Sequence, residues 1–189
     1  MKISAKLERT SPLTIPVMGG TGSAPTALAA FDAALHSIGV HNFNLIRLSS
    51  VIPPGATLLR HTPGEDPLVD LRATPTGRQP LGGWGDRMYA VWAYESAQLL
   101  GEEAWAGVAW VQDPEDGRGL FVEHEGGSEM QVREELAASL TSISRTRQLD
   151  HLEQRSVVVG ARCVDQPVAA LVIAPFMTEP WRNVGSSAT

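Results

Sequence analysis

Two stretches of this chain carry apolar residues at helical spacing, and the remaining apolar runs are short and extended, so a pair of helices must lie against sheets. The first stretch spans Pro25 to Ser37, with Leu28, Phe31, Leu35 and Ile38 on one face and Asp32 just beside that stripe. Ser23 can cap it, Pro25 suits a first turn, and Gly39 is a stop signal. The second spans Glu129 to about Thr146, where Val132, Leu136, Leu140 and Ile143 form the stripe. Ser128 with Gln131 offers it a capping box.

Between and around these helices the chain reads as strands. Leu13 to Met18 is a brief one, followed by Gly19, Gly20, Thr21, Gly22 and Ser23 as a turn that opens the first helix. Asn42 to Ile52 is extended, with Asn44, Ile46, Leu48 and Ser50 on one side and Phe43, Leu45, Arg47 and Ser49 on the other. Pro53 and Pro54 end it, since neither donates a ladder hydrogen bond. His61 to Asp86, rich in Pro, Gly and charge, reads as a long surface loop. Further strands are expected at Met88–Tyr94, Trp105–Gln112 and Leu120–His124, the last two antiparallel across a turn from Asp113 to Gly119. Ser156–Val164 and Val168–Met177 close the series, and the tail through Ser186 and Ser187 looks frayed.

Length and composition bound the function. A chain of 189 residues, 43% apolar and without an internal repeat, fits one domain, 1–189. A formal net charge of -6 argues against a surface that gathers nucleic acid or anionic lipid, and a cationic small molecule is the more natural partner. Cys163 stands alone, which excludes an internal disulfide framework and suits a reducing cytoplasm. The start MKISAKLERTSPLTIP lacks the apolar centre of a signal peptide, and no run approaches a membrane span, so a soluble cytoplasmic protein is expected. His36, His41, His61, His124 and His151 show no metal-ligand spacing, so no metal is expected. The Gly19–Ser23 run lacks the lysine of a phosphate loop.

The informative segment is NFNLIRLSSVIPPG, Asn42 to Gly55, because a serine pair ending a buried-looking strand needs partners for its hydroxyls. Ala30, Phe31 and Asp32, then Gly39, then Asn42 to Arg47, Ser49 and Ser50, and Ile52, Pro53 and Pro54 form one ordered set. Gly119, Leu120, Glu123, Glu125 and Gly126 form a second. In both, the chain resembles the pyruvoyl-dependent arginine decarboxylases, over a span from about Leu13 to Met177.

That resemblance implies a proenzyme cut between Ser49 and Ser50 into chains 1–49 and 50–189. The Ser50 hydroxyl would attack the Ser49 carbonyl and turn an amide into an ester. Elimination and hydrolysis would then leave a pyruvoyl group, derived from Ser50, at the start of the large chain. This covalent cofactor would form a Schiff base with L-arginine and yield agmatine and CO2. Ser49, Ser50 and Asn44 are the implied processing residues, and Glu123 the implied proton donor. On a strand, Glu123 and Glu125 face one side. Asp32, whose carboxylate suits a guanidinium fork, and Leu28 are the implied substrate-binding residues.

Element order and resemblance together imply an α/β (α+β) fold, an αββα-type sandwich of mostly antiparallel sheets flanked by helices. The resemblance also implies a homo-oligomer, a trimer or dimer of trimers, with sites at subunit interfaces. His41 stands where the family commonly has glycine, and the segment from His61 to Asp86 is longer than the shortest members need. Other readings are a pyruvoyl decarboxylase of histidine or aspartate, or an unprocessed, non-enzymatic homologue. A serine hydrolase is poorer, with no histidine and acid in a recognisable motif around Ser50.

Overall fold

The computed structural model describes residues 13–61 and 82–181, and the expected features at the N-terminal lead, the C-terminal tail and most of the 61–86 segment lie outside them. In chain order the elements are β1 (Thr14–Ser23), α1 (Ala27–Ser37), β2 (Asn44–Arg47), β3 (Val51–Ile52), β4 (Thr57–Arg60), β5 (Arg87–Ala97) and β6 (Glu103–Gln112). They continue with β7 (Gly119–Gly126), α2 (Glu129–Thr146), β8 (Arg155–Arg162) and β9 (Val168–Glu179). One sheet has the order β2-β5-β9-β1-β4 and the other β3-β7-β6-β8. Pairing is antiparallel except for β1 with β4 and β2 with β5.

The two-residue alternation of a strand sorts β9 into two faces. Val168, Ala170, Val172 and Ala174 join Val91, Val108, Trp110 and Phe121 in the core between the sheets. Ala169, Leu171 and Ile173 face the other way, onto Ala30, Ala34, Leu35 and Ile38 of α1. On the second sheet, Ala109, Val111, Leu120 and Val122 meet Val132, Leu136 and Leu140 of α2. The layers are therefore α1, five strands, four strands and α2, which is the expected αββα sandwich.

Several local expectations change. The glycine run is no turn: β1 continues through it, with Met18 opposite Ile173 and Ser23 opposite Val168. The glycines serve contact with α1 instead, since a Cβ at Gly20 would sit 2.7 Å from the Ala34 carbonyl oxygen, and one at Gly22 would collide with backbone of Ala30 and Ala34. The cap of α1 is Thr26, whose Oγ1 accepts from the Ala29 N–H at 3.2 Å, rather than Ser23. Leu28 does not join the buried stripe and is 77% exposed. At α2 the Ser128 hydroxyl accepts from the Gln131 N–H at 3.3 Å, while the Gln131 amide turns to Glu135. Ile143 is exposed and Ser144 is buried in its place. The extended run from Asn42 to Ile52 divides at Leu48–Ser50, and β4 is a strand that the short run after Pro54 does not announce.

Candidate active site

β2 and β3 are edge strands of different sheets, so the three residues between them carry the chain from one layer of the sandwich to the other. Upstream, the Leu48 N–H donates to the Ala90 carbonyl at 2.9 Å, which extends the β2–β5 pairing. Downstream, the Phe121 N–H donates to the Ser50 carbonyl at 2.8 Å, which extends the β3–β7 pairing. The Ser49–Ser50 peptide is thus held on one side by each sheet. Within it, the Val51 N–H donates to the Ser49 carbonyl at 2.7 Å, a bond from residue i+2 back to residue i that closes a γ-turn on Ser50. Among the described residues only Gln148, apart from glycines, has positive φ, so this is the common inverse form.

The segment after Ser50 is fastened as well. The Gln112 side-chain amide donates to the Ala56 and Gly117 carbonyls, both at 2.8 Å, and the Gly55 N–H donates to the Asp116 carbonyl at 2.7 Å. These bonds stitch the Pro53–Ala56 turn to the β6–β7 hairpin. On the other side, Arg47 donates to the Trp92 carbonyl and lays its guanidinium 5.1 Å from the Trp92 ring centre, which locks β2 to β5.

Glu123 lies on β7 opposite Val108 of β6. Alternation puts it on the same face as Phe121, toward the space between the sheets, and it is half-buried. The half-buried Ser50 hydroxyl donates to its Oε1. Two of the expected residues, 73 positions apart, thus meet directly. Ser49 and Glu125 are exposed.

Asn44 and Asp32 do not join them. The Asn44 side chain donates to the Gly85 carbonyl at 2.5 Å, which also accepts from the Trp181 indole N–H at 2.9 Å. Among the described residues no hydrogen bond ties Asn44 to Ser49 or Ser50, and its contact is with the turn that leads into β5. Asp32 is exposed on α1, and Leu28 precedes it by four residues, so the two are neighbours on the outward face of that helix. The five-stranded sheet stands between α1 and the face that bears Glu123. Among the described residues no hydrogen bond joins Asp32 to Ser50 or Glu123. His41 rests its ring on His36, 4.3 Å between centroids, in the connection from α1 to β2.

One polar cluster has no counterpart among the sequence motifs. His124 Nε2 lies 2.7 Å from Ser139 Oγ, and His124 Nδ1 lies 3.3 Å from Glu135 Oε2. This is a serine, histidine and carboxylate in a row, and the spacing of Glu135 and Ser139 by one helical turn is the signal that foreshadows it. Ser139 is inside α2, where backbone N–H groups are committed to the helix, so no pair of donors is available for an oxyanion. The cluster ties α2 to β7, one residue from Glu123 and on the opposite face. Among the described residues no group of three or more His, Cys, Asp or Glu side chains is placed to hold a metal ion. Nor is any helix there long and apolar enough to cross a membrane.

Known proteins match this arrangement. The family described as pyruvoyl-dependent arginine decarboxylase matches residues 14–180. A pyruvoyl-dependent arginine decarboxylase of Halobacterium salinarum is 35% identical over 169 residues, covering 86% of this chain and 92% of that protein. One from Methanococcus vannielii is 36% identical over 117 residues, covering 61% and 60%. Among solved structures, a pyruvoyl-dependent histidine decarboxylase at pH 8 is similar with a TM-score of 0.40 and 18% identity, over 62% of each chain. A family match across 14–180, with a relative aligned nearly end to end, leaves one assignment: the chain belongs to the pyruvoyl-dependent arginine decarboxylase family.

Proposed function

We propose that this chain is a proenzyme that cuts itself between Ser49 and Ser50 and that the product decarboxylates L-arginine to agmatine and CO2. The observation that carries the reading is the hydrogen bond from the Ser50 hydroxyl to Glu123, where the chain passes from β2 of one sheet to β3 of the other.

The residues present fit a pyruvoyl group at position 50. A nucleophile needs a base, and Glu123 is placed to take the hydroxyl proton as Ser50 Oγ closes on the Ser49 carbonyl carbon. The C–N bond then breaks and the proton passes to the Ser50 nitrogen, which leaves an ester. Loss of the α-proton of residue 50 expels Ser49 as a carboxylate. Water then replaces the nitrogen, which departs as ammonia, and a ketone remains. Both cut ends are held by their own sheets, so the division need not unfold the sandwich. β1 stays between β9 and β4, and α1 stays on its outer face.

The pyruvoyl ketone supplies the chemistry of an electron sink, condensing with the substrate amine and drawing off charge as CO2 leaves. The Phe121 N–H, 2.8 Å from the carbonyl of residue 50, favours negative charge on that oxygen. Glu123 delivers the proton that replaces CO2 on the substrate carbon. Asp32 and Leu28 belong to the site of a second copy, where the carboxylate takes the guanidinium fork and the leucine packs against the methylenes. Their exposure on the outer face of α1 supports an oligomer, a trimer or dimer of trimers, with sites between subunits. The buried lone Cys163, with its thiol on the Gln166 carbonyl, suits a cytoplasmic protein.

Intact mass of the purified protein tests the first half of the reading. Two chains, the larger starting with a hydride-reducible ketone, are expected, and a single chain with serine at position 50 after long incubation overturns it. Incubation with arginine, histidine and aspartate tests the second half. Agmatine alone should form, and release of histamine or β-alanine would reassign the substrate.

A further inference from the structure

Self-cleavage needs a donor for the charge that develops on the Ser49 carbonyl oxygen, as well as a base for the nucleophile. Glu123 cannot be both. As a carboxylate it only accepts, and its Oε1 is already engaged by the Ser50 hydroxyl. Asn44, the other candidate amide, is turned to Gly85. Among the described residues the group that reaches the Ser49 oxygen is the Val51 N–H, at 2.7 Å.

We propose that the backbone N–H of Val51 is a catalytic group of the cut, which polarises the Ser49 carbonyl and holds its oxygen as the tetrahedral centre forms. The proposal rests on the self-cleavage reading above and names the group that completes it. In the step concerned, the Ser50 Oγ–C bond forms and the carbonyl π electrons move to oxygen, against Val51. The hydroxyl proton goes to Glu123. When the carbonyl re-forms, the C–N bond of the 49–50 peptide breaks and that proton reaches the Ser50 nitrogen. The Val51 N–H changes no bond of its own.

Two features make the assignment specific. The inverse γ-turn bends the backbone at Ser50 itself, so attack does not start from a relaxed extended strand, in which hydroxyl and preceding carbonyl are poorly disposed. The Val51 N–H also has no competing use. β3 is an edge strand whose link to β7 at this end is the Phe121 N–H on the Ser50 carbonyl, and the Val51 side chain is 47% exposed. The side chain is therefore dispensable while the amide hydrogen is not.

The test replaces the Ser50–Val51 amide by an ester, installed during translation with the α-hydroxy analogue of valine, beside Val51→Ala and the unaltered chain. Intact mass separates cutting at 49–50 from hydrolysis of the ester itself. The ester chain should cut about 10²- to 10³-fold more slowly than Val51→Ala, which keeps the N–H, the usual loss for one oxyanion donor. Val51→Pro, which also lacks the N–H and is tolerable on an edge strand, should be slowed likewise if its melting transition is retained. Where that variant fails to fold, the ester chain decides alone. Cutting of either folded variant at the unaltered rate overturns the role of Val51 and leaves self-cleavage standing. An unaltered chain that never cuts overturns both.

Discussion

Glu123→Gln separates the two tasks proposed for this residue. The substitution keeps the shape and an oxygen for the Ser50 hydroxyl, but the amide neither takes nor returns a proton. A hydrogen bond to a charged group is worth about 1.5–3 kcal/mol. At about 1.36 kcal/mol per factor of ten, losing it from the attack step slows cutting by about 10- to 150-fold. Removing the proton donor from decarboxylation costs a further kind of rate, about 10² to 10⁴. The assay follows chain integrity by denaturing gel over days, then measures agmatine release per ketone, counted by hydride reduction. The expected variant cuts slowly but to completion and then turns over poorly. Ser50→Ala, by contrast, should never cut. A Glu123→Gln enzyme that cuts and turns over at the unaltered rates would remove Glu123 from both steps and leave its bond to Ser50 a matter of packing.

Asp32→Asn should leave cutting unchanged and raise KM for arginine, because the two-pronged grip on the guanidinium is lost. Mixed oligomers of Asp32→Asn and Ser50→Ala should turn over low arginine faster than either variant alone, and failure to do so would place Asp32 outside a shared site. Gly20→Ala sets a methyl 2.7 Å from the Ala34 carbonyl oxygen, where side-chain carbons do not come within 3.0 Å. Forcing α1 outward should cost about 1–3 kcal/mol in denaturant unfolding, and a neutral result would refute the close packing. The Glu103 carboxyl is held below the ordinary glutamate range, first by the Trp105 indole N–H and then by Arg162. Its contribution to stability is present above the unfolded-state pKa and fades as pH falls through the lower folded value. NMR titration should show the low midpoint and its rise in Trp105→Phe.

The sequence made the two helices legible because stripes of Val132, Leu136 and Leu140 or Leu35 and Ile38 have a period that strands cannot share. It also made Ser50 and Glu123 legible, as members of two motif blocks. Their contact was not legible, because the two lie 73 residues apart and meet only through the pairing of β3 with β7. The glycines of β1 misled for a related reason. A run of glycine signals a turn when judged by backbone freedom, whereas here it answers to the close approach of α1, which only the packed structure contains. The Gln112 clamp and the Val51 amide leave no local pattern at all, and the His124 cluster leaves only the one-turn spacing of Glu135 and Ser139. The clamp and the cluster are polar contacts between separate elements, and the amide is a property of the backbone that any residue but proline would supply.

This division between motif and scaffold would account for the location of the proposed cut. Interior strands such as β9 and β5 have neighbours on both edges, and a break there would leave buried backbone groups without partners. At an outer edge of both sheets, the Ser49–Ser50 peptide can be bent into a γ-turn and severed while every ladder on either side persists. The same edge position leaves the new end of the large chain anchored through the Ser50 carbonyl on Phe121, with Glu123 two residues further along β7 on the same face. Strand alternation therefore sets the base of the cutting step beside the atom that the cut exposes. One carboxylate can serve both reactions without any movement of the fold.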